Sequence, residues 1–118
     1  MNIYSYIKKY SMFPGFSKQK QNRGGQTVGA GVLLFKLLAD PTRLKILSFL
    51  MKRPEGACVY EIAEEVGVSH SAASHQLSGL EARGVLVCFR EGQQVCYEVV
   101  DSSLSKNIKK AITLFYHE

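Results

Sequence analysis

The side chains best suited to specific polar contacts cluster between residues 69 and 78, a segment that contains two of the three histidines of the chain. Helical spacing places Ala73, Leu77 and Leu80 on one apolar face. The opposite face and its edges carry short or hydrogen-bonding residues: Ser69, His70, Ser71, Ser74, His75, Gln76 and Ser78. The first acidic residue is Glu81, whereas an ordinary solvated helix mixes Lys and Glu. A face without carboxylates can closely approach phosphates and base edges, so we expect these residues to contact DNA.

Two short helices joined by a tight turn would position this face. The apolar residues before Gly67 share one side of a helix, and Gly67 stands where a helix C-cap is expected. Ser69 is a favourable N-cap for the second helix, which should end near Arg83. The pattern predicts a helix-turn-helix over Val59–Arg83, a motif whose second helix enters the major groove.

A β-hairpin is predicted directly after this motif. Two runs rich in β-branched and aromatic residues surround Glu91 and Gly92, which indicates a wing over Val85–Val100. Arg90 and Gln93 flank the predicted tip, and we expect them to reach the DNA backbone or the minor groove. Glu91 should point away, because phosphates would repel it.

The remaining elements are helical. Val32–Leu38 predicts a short, nearly all-apolar helix, and Asp40 with Pro41 is a strong start for the next helix. A last helix, capped by Asp101 or Ser102, carries an apolar stripe. The predicted fold is mainly α with a β-hairpin (α+β), a winged helix-turn-helix with the order α-α-α-α-β-β-α.

Charge is distributed unevenly along the 118 residues. Residues 1–30 contain five basic and no acidic residues and so carry the whole net charge of +5, while residues 31–118 are neutral. We therefore divide the chain into a basic N-terminal arm and linker, 1–30, and a domain for DNA binding and dimerisation, 31–118. The arm suits a polyanionic partner, although it could also be merely solvated. The longest apolar stretch is too short to cross a bilayer, so we expect a cytoplasmic protein without membrane contact.

Enzymatic function is not expected. The sequence has no Gly-rich phosphate loop, nucleophile elbow or carboxylate pair, and His70 and His75 lack an orienting acid. No cofactor is predicted. A stronger alternative is a winged-helix module that binds protein without sequence-specific DNA binding, because the neutral charge of residues 31–118 favours it and the fold alone does not decide function. The acid-free helix face argues against this alternative.

Four segments together resemble the ArsR/SmtB family of winged-helix repressors: Leu38–Leu47, Val68–Ser69, Ser74–Leu77 and Gly84–Leu86. The resemblance covers about residues 32–117. It implies a homodimer, paired through the first and last helices, that binds a near-palindromic operator and is released by an inducer. Independently of the family, one recognition helix reads only a few base pairs, so specificity favours two half-sites related by a two-fold axis.

Several ligand positions of the metal sites implied by this resemblance are occupied here by residues that do not bind metal. Relatives carry a Cys-Val-Cys segment where this chain has Cys58, Val59 and Tyr60, and soft metals prefer several thiolates. Of the positions of a second family site, only Asp101 and His117 could be ligands, whereas zinc requires three or four. We therefore predict no metal, with Cys58, Asp101 and His117 as the residual candidates. Cys58 is better interpreted as a small buried hydrophobe and Asp101 as a helix cap.

Thiol-based redox control is a further alternative. Three cysteines in an apparently cytosolic chain argue against a structural disulfide framework. Cys88 and Cys96 lie on the two strands of the hairpin and pair directly if its loop has three residues, but face opposite sides if it has two or four. Without such a pair, DNA affinity should be insensitive to a thiol oxidant.

Overall fold

The computed structural model describes residues 23–115, with side chains from residue 28 onward. Helices and strands in this part of the chain follow the predicted winged helix-turn-helix order. They are α1 Arg23–Leu38, α2 Pro41–Met51, β1 Ala57–Cys58, α3 Val59–Val66, α4 His70–Ala82, β2 Leu86–Glu91, β3 Gln94–Val99 and α5 Ser103–Thr113. The predicted fold class is confirmed, with β1 as the one additional element.

The first helix is longer than expected. Residues 23–30, which the sequence predicts as linker, belong to α1. Glycines disfavour a helix interior by about 1 kcal/mol each, which is why the segment resembles a linker. The buried side chains of Leu33 and Leu37 join the common core, and packing of this kind outweighs local propensity.

The core is formed where α2, α3, α4 and α5 meet. Its completely buried side chains include Ile46, Leu47, Ile62, Leu77, Leu80 and Ile108. Full burial of each such side chain contributes about 1.5–3 kcal/mol from the hydrophobic effect. Helix α4 is thereby fixed to the other helices through its apolar face.

Polar caps define the helix ends. Asp40 Oδ1 accepts a hydrogen bond of 2.9 Å from the backbone N–H of Arg43, and Pro41 opens α2 as predicted. Of the two caps proposed for the last helix, Ser102 fills the position. Ser102 and Ser105 exchange side chain to backbone hydrogen bonds of 3.1 and 3.0 Å. Asp101 is exposed and does not cap the helix, so its interpretation as a cap is wrong.

The three strands form an antiparallel sheet in the order β1-β3-β2. β1 consists of two residues, with Ala57 opposite Tyr97 and Cys58 opposite Cys96. Gly56 permits this approach, because its φ is 82° and a Cβ there would lie 2.6 Å from the carbonyl oxygen of Tyr97.

The hairpin register decides between the loop lengths left open by the sequence. Glu91 pairs with Gln94, so the loop has two residues, and Gly92 supplies the positive φ of 66° that such a turn requires. Cys88 consequently lies opposite Tyr97 and cannot pair with Cys96. Cys96 instead forms a disulfide with Cys58 of β1. The interpretation of Cys88 and Cys96 as a redox pair is wrong, and the structure contains one disulfide although the three cysteines argue against a disulfide framework.

Candidate DNA interface

Helix α4 separates its residues as its periodicity predicts. Ala73, Leu77 and Leu80 are buried against the core. The predicted contact residues share the other side of the helix. Ser69, His70, Ser71, His75 and Ser78 are exposed, and Ser74 and Gln76 are half-buried. All seven predicted residues are at least partly accessible, and we call the surface that they form the α4 face, with Gln76 on its flank toward α2.

The start of α4 is held by Ser69. Its Oγ accepts a hydrogen bond of 3.1 Å from the backbone N–H of Ala72 and lies 3.3 Å from Oγ of Ser71. An N-cap of this kind leaves the first helical N–H groups directed outward, where the helix dipole favours negative charge. His70 and Ser71 occupy this first turn and are exposed, so the end of the α4 face nearest Ser69 is suited to a phosphate or an acceptor on a base edge.

Gln76 has a second role that the sequence did not indicate. Its Nε2 donates a hydrogen bond of 3.5 Å to Oδ2 of Asp40, the N-cap of α2. The backbone hydrogen bond from Arg43, with a smaller contribution from the Arg43 charge, lowers the pKa of Asp40. Gln76 therefore lies at the edge of the α4 face and connects it to α2, and the side chain has fewer free donors for a base.

Ser78 connects the α4 face to the wing. The side chain of Tyr97 in β3 is buried, and its hydroxyl lies close to Ser78. Burial raises the pKa of the Tyr97 hydroxyl, and the nearby Ser78 partly opposes this shift. The contact joins residues 19 positions apart in the numbering, so no local sequence pattern could have revealed it.

The wing tip projects into solvent. Arg90, Glu91, Gly92 and Gln93 are all exposed. Because neighbouring residues of a strand point to opposite faces, Arg90 and Glu91 of β2 are directed to different sides of the hairpin. This alternation allows Arg90 to face phosphates while Glu91 is turned from them, and that arrangement stays a prediction.

Two arginines of the domain are engaged internally. Arg43 donates from Nε to the carbonyl of Leu37 at 3.0 Å and from Nη2 to that of Lys36 at 2.6 Å, and so caps the end of α1. Arg53 forms ion pairs with Glu55 at 3.2 Å and Glu61 at 3.4 Å. Helix α4 itself contains no Lys or Arg, and the exposed Arg83 directly follows it as its C-cap.

The residual metal candidates do not form a cluster. Among residues 23–115, no group of three or more His, Cys, Asp or Glu side chains is placed to hold a metal ion. Cys58 is bonded to Cys96, and Asp101 is exposed beside the start of α5. His117 lies outside the described residues. Within residues 23–115, no helix has the length and apolar character needed to cross a membrane.

Comparisons with known proteins agree on one family. A family model for the bacterial regulatory proteins of the arsR family matches residues 40–86, from the N-cap of α2 to the start of β2. The HTH-type transcriptional regulator NmtR of Mycobacterium tuberculosis is 38% identical over 80 residues, which cover 68% of this chain and 62% of NmtR. The matched region thus spans less than two thirds of that relative.

Solved structures extend the similarity to the fold. The crystal structure of the antimony-specific transcriptional repressor AntR is 36% identical, with a TM-score of 0.64 and 74% of each chain covered. The homodimeric winged helix-turn-helix DNA-binding domain of Mb0332 from Mycobacterium bovis is 25% identical, with a TM-score of 0.59, covering 79% of this chain and 81% of that one. The chain belongs to the ArsR family of bacterial regulatory proteins, as the resemblance predicted, and has a winged helix-turn-helix fold.

Proposed function

We propose that the chain is a sequence-specific DNA-binding transcriptional repressor that acts as a homodimer on a near-palindromic operator and is released by an inducing signal. The observation that carries the proposal is the α4 face, an exposed helix surface of Ser and His whose first carboxylate, Glu81, comes only at the far end of the helix, beside an exposed wing tip. Such a helix fits the major groove, and the tip then lies over the neighbouring backbone. Its place of action would be the cytoplasm.

The residues of the α4 face would make different contacts with DNA. His70, Ser71 and Ser74, near the beginning of the helix, would contact base edges or phosphates, together with His75 one turn further on. Gln76 and Ser78 would act from the edge of this face, and Ser69 chiefly through its cap. In the wing, Arg90 and Gln93 would bind phosphate oxygens, which position a protein on DNA without reading its sequence.

Exposed apolar surface supports the homodimer. Val28, Val32 and Phe35 recur at helical spacing along α1 and expose 64%, 44% and 70% of their surfaces. Leu114 and Phe115, directly after α5, are also largely exposed. Because α1 packs against α5, these apolar side chains belong to neighbouring elements. An apolar surface of this extent is typical of an interface, and a second copy would place two α4 faces on one duplex.

Selection of bound duplexes from a random pool, followed by affinity measurements on the selected site, tests the proposal. His70→Ala and Ser71→Ala should each weaken binding by about 1–3 kcal/mol and relax base preference. Ser103→Ala is a matched control, because Ser103 is also an exposed serine in the first turn of a helix but lies on α5. Failure of the full chain to bind any duplex at low salt would refute the proposal.

A protein-binding winged helix is the second candidate. It is favoured by the neutral charge of residues 31–118 and by the internal engagement of Arg43 and Arg53. Retention on random duplex DNA with a steep dependence on salt would exclude it, since counterion release accompanies phosphate contacts.

A further inference from the structure

A buried disulfide joins the helix-turn-helix to the wing. Cys58 ends β1 and is the N-cap of α3, whereas Cys96 lies within β3. The two residues expose 4% and 0% of their surfaces and lie directly opposite each other in the sheet. Neither the DNA contacts nor the dimer surface proposed above uses this bond.

We propose that Cys58 and Cys96 form a reversible dithiol–disulfide pair, and that its oxidation fixes the wing relative to α4 and raises the affinity for DNA. This inference rests on the proposed DNA-binding function. It replaces the sequence-based expectation that DNA affinity is insensitive to thiol oxidants, an expectation that considered only Cys88 and Cys96.

The neighbours of the bond explain the coupling. Cys96 is followed by Tyr97, whose buried side chain lies close to Ser78 on the α4 face. Cys58 precedes the first residue of α3, and β1 contributes only two residue pairs to the sheet. When the bond is reduced, these two pairs and nearby side-chain packing are what hold β1 against β3. The disulfide prevents β1 from moving relative to β3 before DNA binds. Such preorganisation increases the affinity for DNA, because less ordering of the protein is required on binding.

A low-molecular-weight disulfide is a sufficient oxidant. Cys58 lies in the edge strand β1 and is the more accessible cysteine of the pair, so it reacts first when the short ladder opens locally. After losing its proton to solvent, the Cys58 thiolate attacks one sulfur of the reagent, forms a mixed disulfide and expels the other half as a thiolate. Cys96 likewise loses its proton to solvent, and its thiolate attacks the Cys58 sulfur, which expels the second half as a thiolate. Two electrons pass from the protein to the reagent, and each expelled thiolate takes up a proton.

The third cysteine provides a clean background for the test. Cys88 is half-buried and unbonded, and it occupies the opposite face of the hairpin from Cys96. Cys88→Ala therefore leaves Cys58 and Cys96 as the two thiols of a chain that has three cysteines in total. Because Cys88 lies opposite Tyr97, its removal can change the absolute affinity, but the ratio of the affinities of the oxidised and reduced forms should match that of the parent protein.

The experiment equilibrates the full chain and its Cys88→Ala variant in buffers of oxidised and reduced glutathione. Alkylation followed by mass spectrometry gives the fraction of protein molecules that contain the Cys58–Cys96 disulfide. A titration with the selected duplex gives the DNA affinity of the same samples. We expect the oxidised protein to bind at least about fivefold more tightly, reversibly on reduction. Cys58→Ala should bind like the reduced protein and lose the response.

The two readouts separate this proposal from the proposed function. Equal affinities in both redox states, tighter binding by the reduced protein, or alkylation of both thiols under oxidising conditions would each overturn the redox proposal while leaving DNA binding intact. Absence of DNA binding in both states would overturn the proposed function and the coupling with it. The comparison of redox states needs no substitution, so a poorly folding Cys58 variant does not prevent a decision.

Discussion

Reduction of the Cys58–Cys96 disulfide should lower the free energy of unfolding by about 4 kcal/mol. The bond spans a sequence separation of 38 residues, a segment that includes both helices of the helix-turn-helix and the first strand of the wing. Closing a loop of this length removes about 13 cal/mol/K of entropy from the unfolded chain, which corresponds to about 4 kcal/mol at 25 °C. The folded state changes less on reduction, because the β1–β3 pairing can persist around two buried thiols.

Urea unfolding followed by far-ultraviolet circular dichroism measures this difference. Oxidised and reduced samples are compared at one protomer concentration, because dimerisation makes apparent stability depend on concentration. The free energy of unfolding falls by about 1–3 kcal/mol per M of urea, so the expected loss of stability lowers the urea concentration at the unfolding midpoint by about 1–4 M. Cys88→Ala should show the same difference between redox states. A difference below about 1 kcal/mol would refute the reasoning from loop length.

Three further perturbations test the caps and the wing. Ser69→Ala should reduce stability by about 1 kcal/mol in urea unfolding, because the N–H of Ala72 loses its acceptor; an unchanged midpoint would contradict this role. The lowered pKa of Asp40 means that its carboxylate stabilises the fold above the usual value of 3.8 and that this contribution is lost as the pH falls through the folded pKa. Asp40→Asn should therefore weaken the dependence of stability on pH in that range, and identical pH profiles would argue against it. Glu91→Gln should raise DNA affinity only slightly at low salt, since its carboxylate is at the wing tip but turned from the phosphates, and a gain of about tenfold or more would place Glu91 against the phosphates, contrary to this orientation.

Local patterns were enough to predict the elements that carry the α4 face. The apolar spacing of Ala73, Leu77 and Leu80 defines one side of α4 without any knowledge of its neighbours. The hairpin followed from its β-branched strands and from Gly92 at the turn. By contrast, β1 has two residues, too few for any periodicity, and its partner strand lies about 40 residues further along the chain. Because the sequence did not predict β1, it could not predict that Cys58 lies opposite Cys96.

The contacts around the α4 face were not predictable for a similar reason. The hydrogen bond between Gln76 and Asp40 joins residues 36 positions apart, and the contact between Ser78 and Tyr97 crosses from helix to sheet. From the sequence alone, Arg43 is a positive charge that could contact DNA. In the structure its guanidinium donates hydrogen bonds to backbone carbonyls at the end of α1. The periodicity therefore predicts which residues share a surface, whereas tertiary contacts decide how free each side chain is. That these residues bind DNA stays a prediction.

The absence of Lys and Arg from α4 gives the basic arm a specific expected role. Sequence-independent affinity for DNA comes from phosphate contacts, and α4 itself contains no Lys or Arg. Residues 1–22 contain four lysines and no acid. They are therefore the best source of such contacts.

Deletion of residues 1–22 tests this role and keeps α1 whole, whereas a cut at residue 28 would remove the first residues of that helix. The truncated chain should unfold at the same urea concentration, since the described core lies entirely within residues 33–112. The slope of log affinity against log salt should fall by about 0.9 for each lost phosphate contact, up to about 3.6 per protomer if all four lysines take part. Base preference should be retained, because the α4 face is intact. An unchanged salt slope would show that the arm does not touch DNA, and the cations of the wing and of the other helices would then have to supply the whole electrostatic contribution.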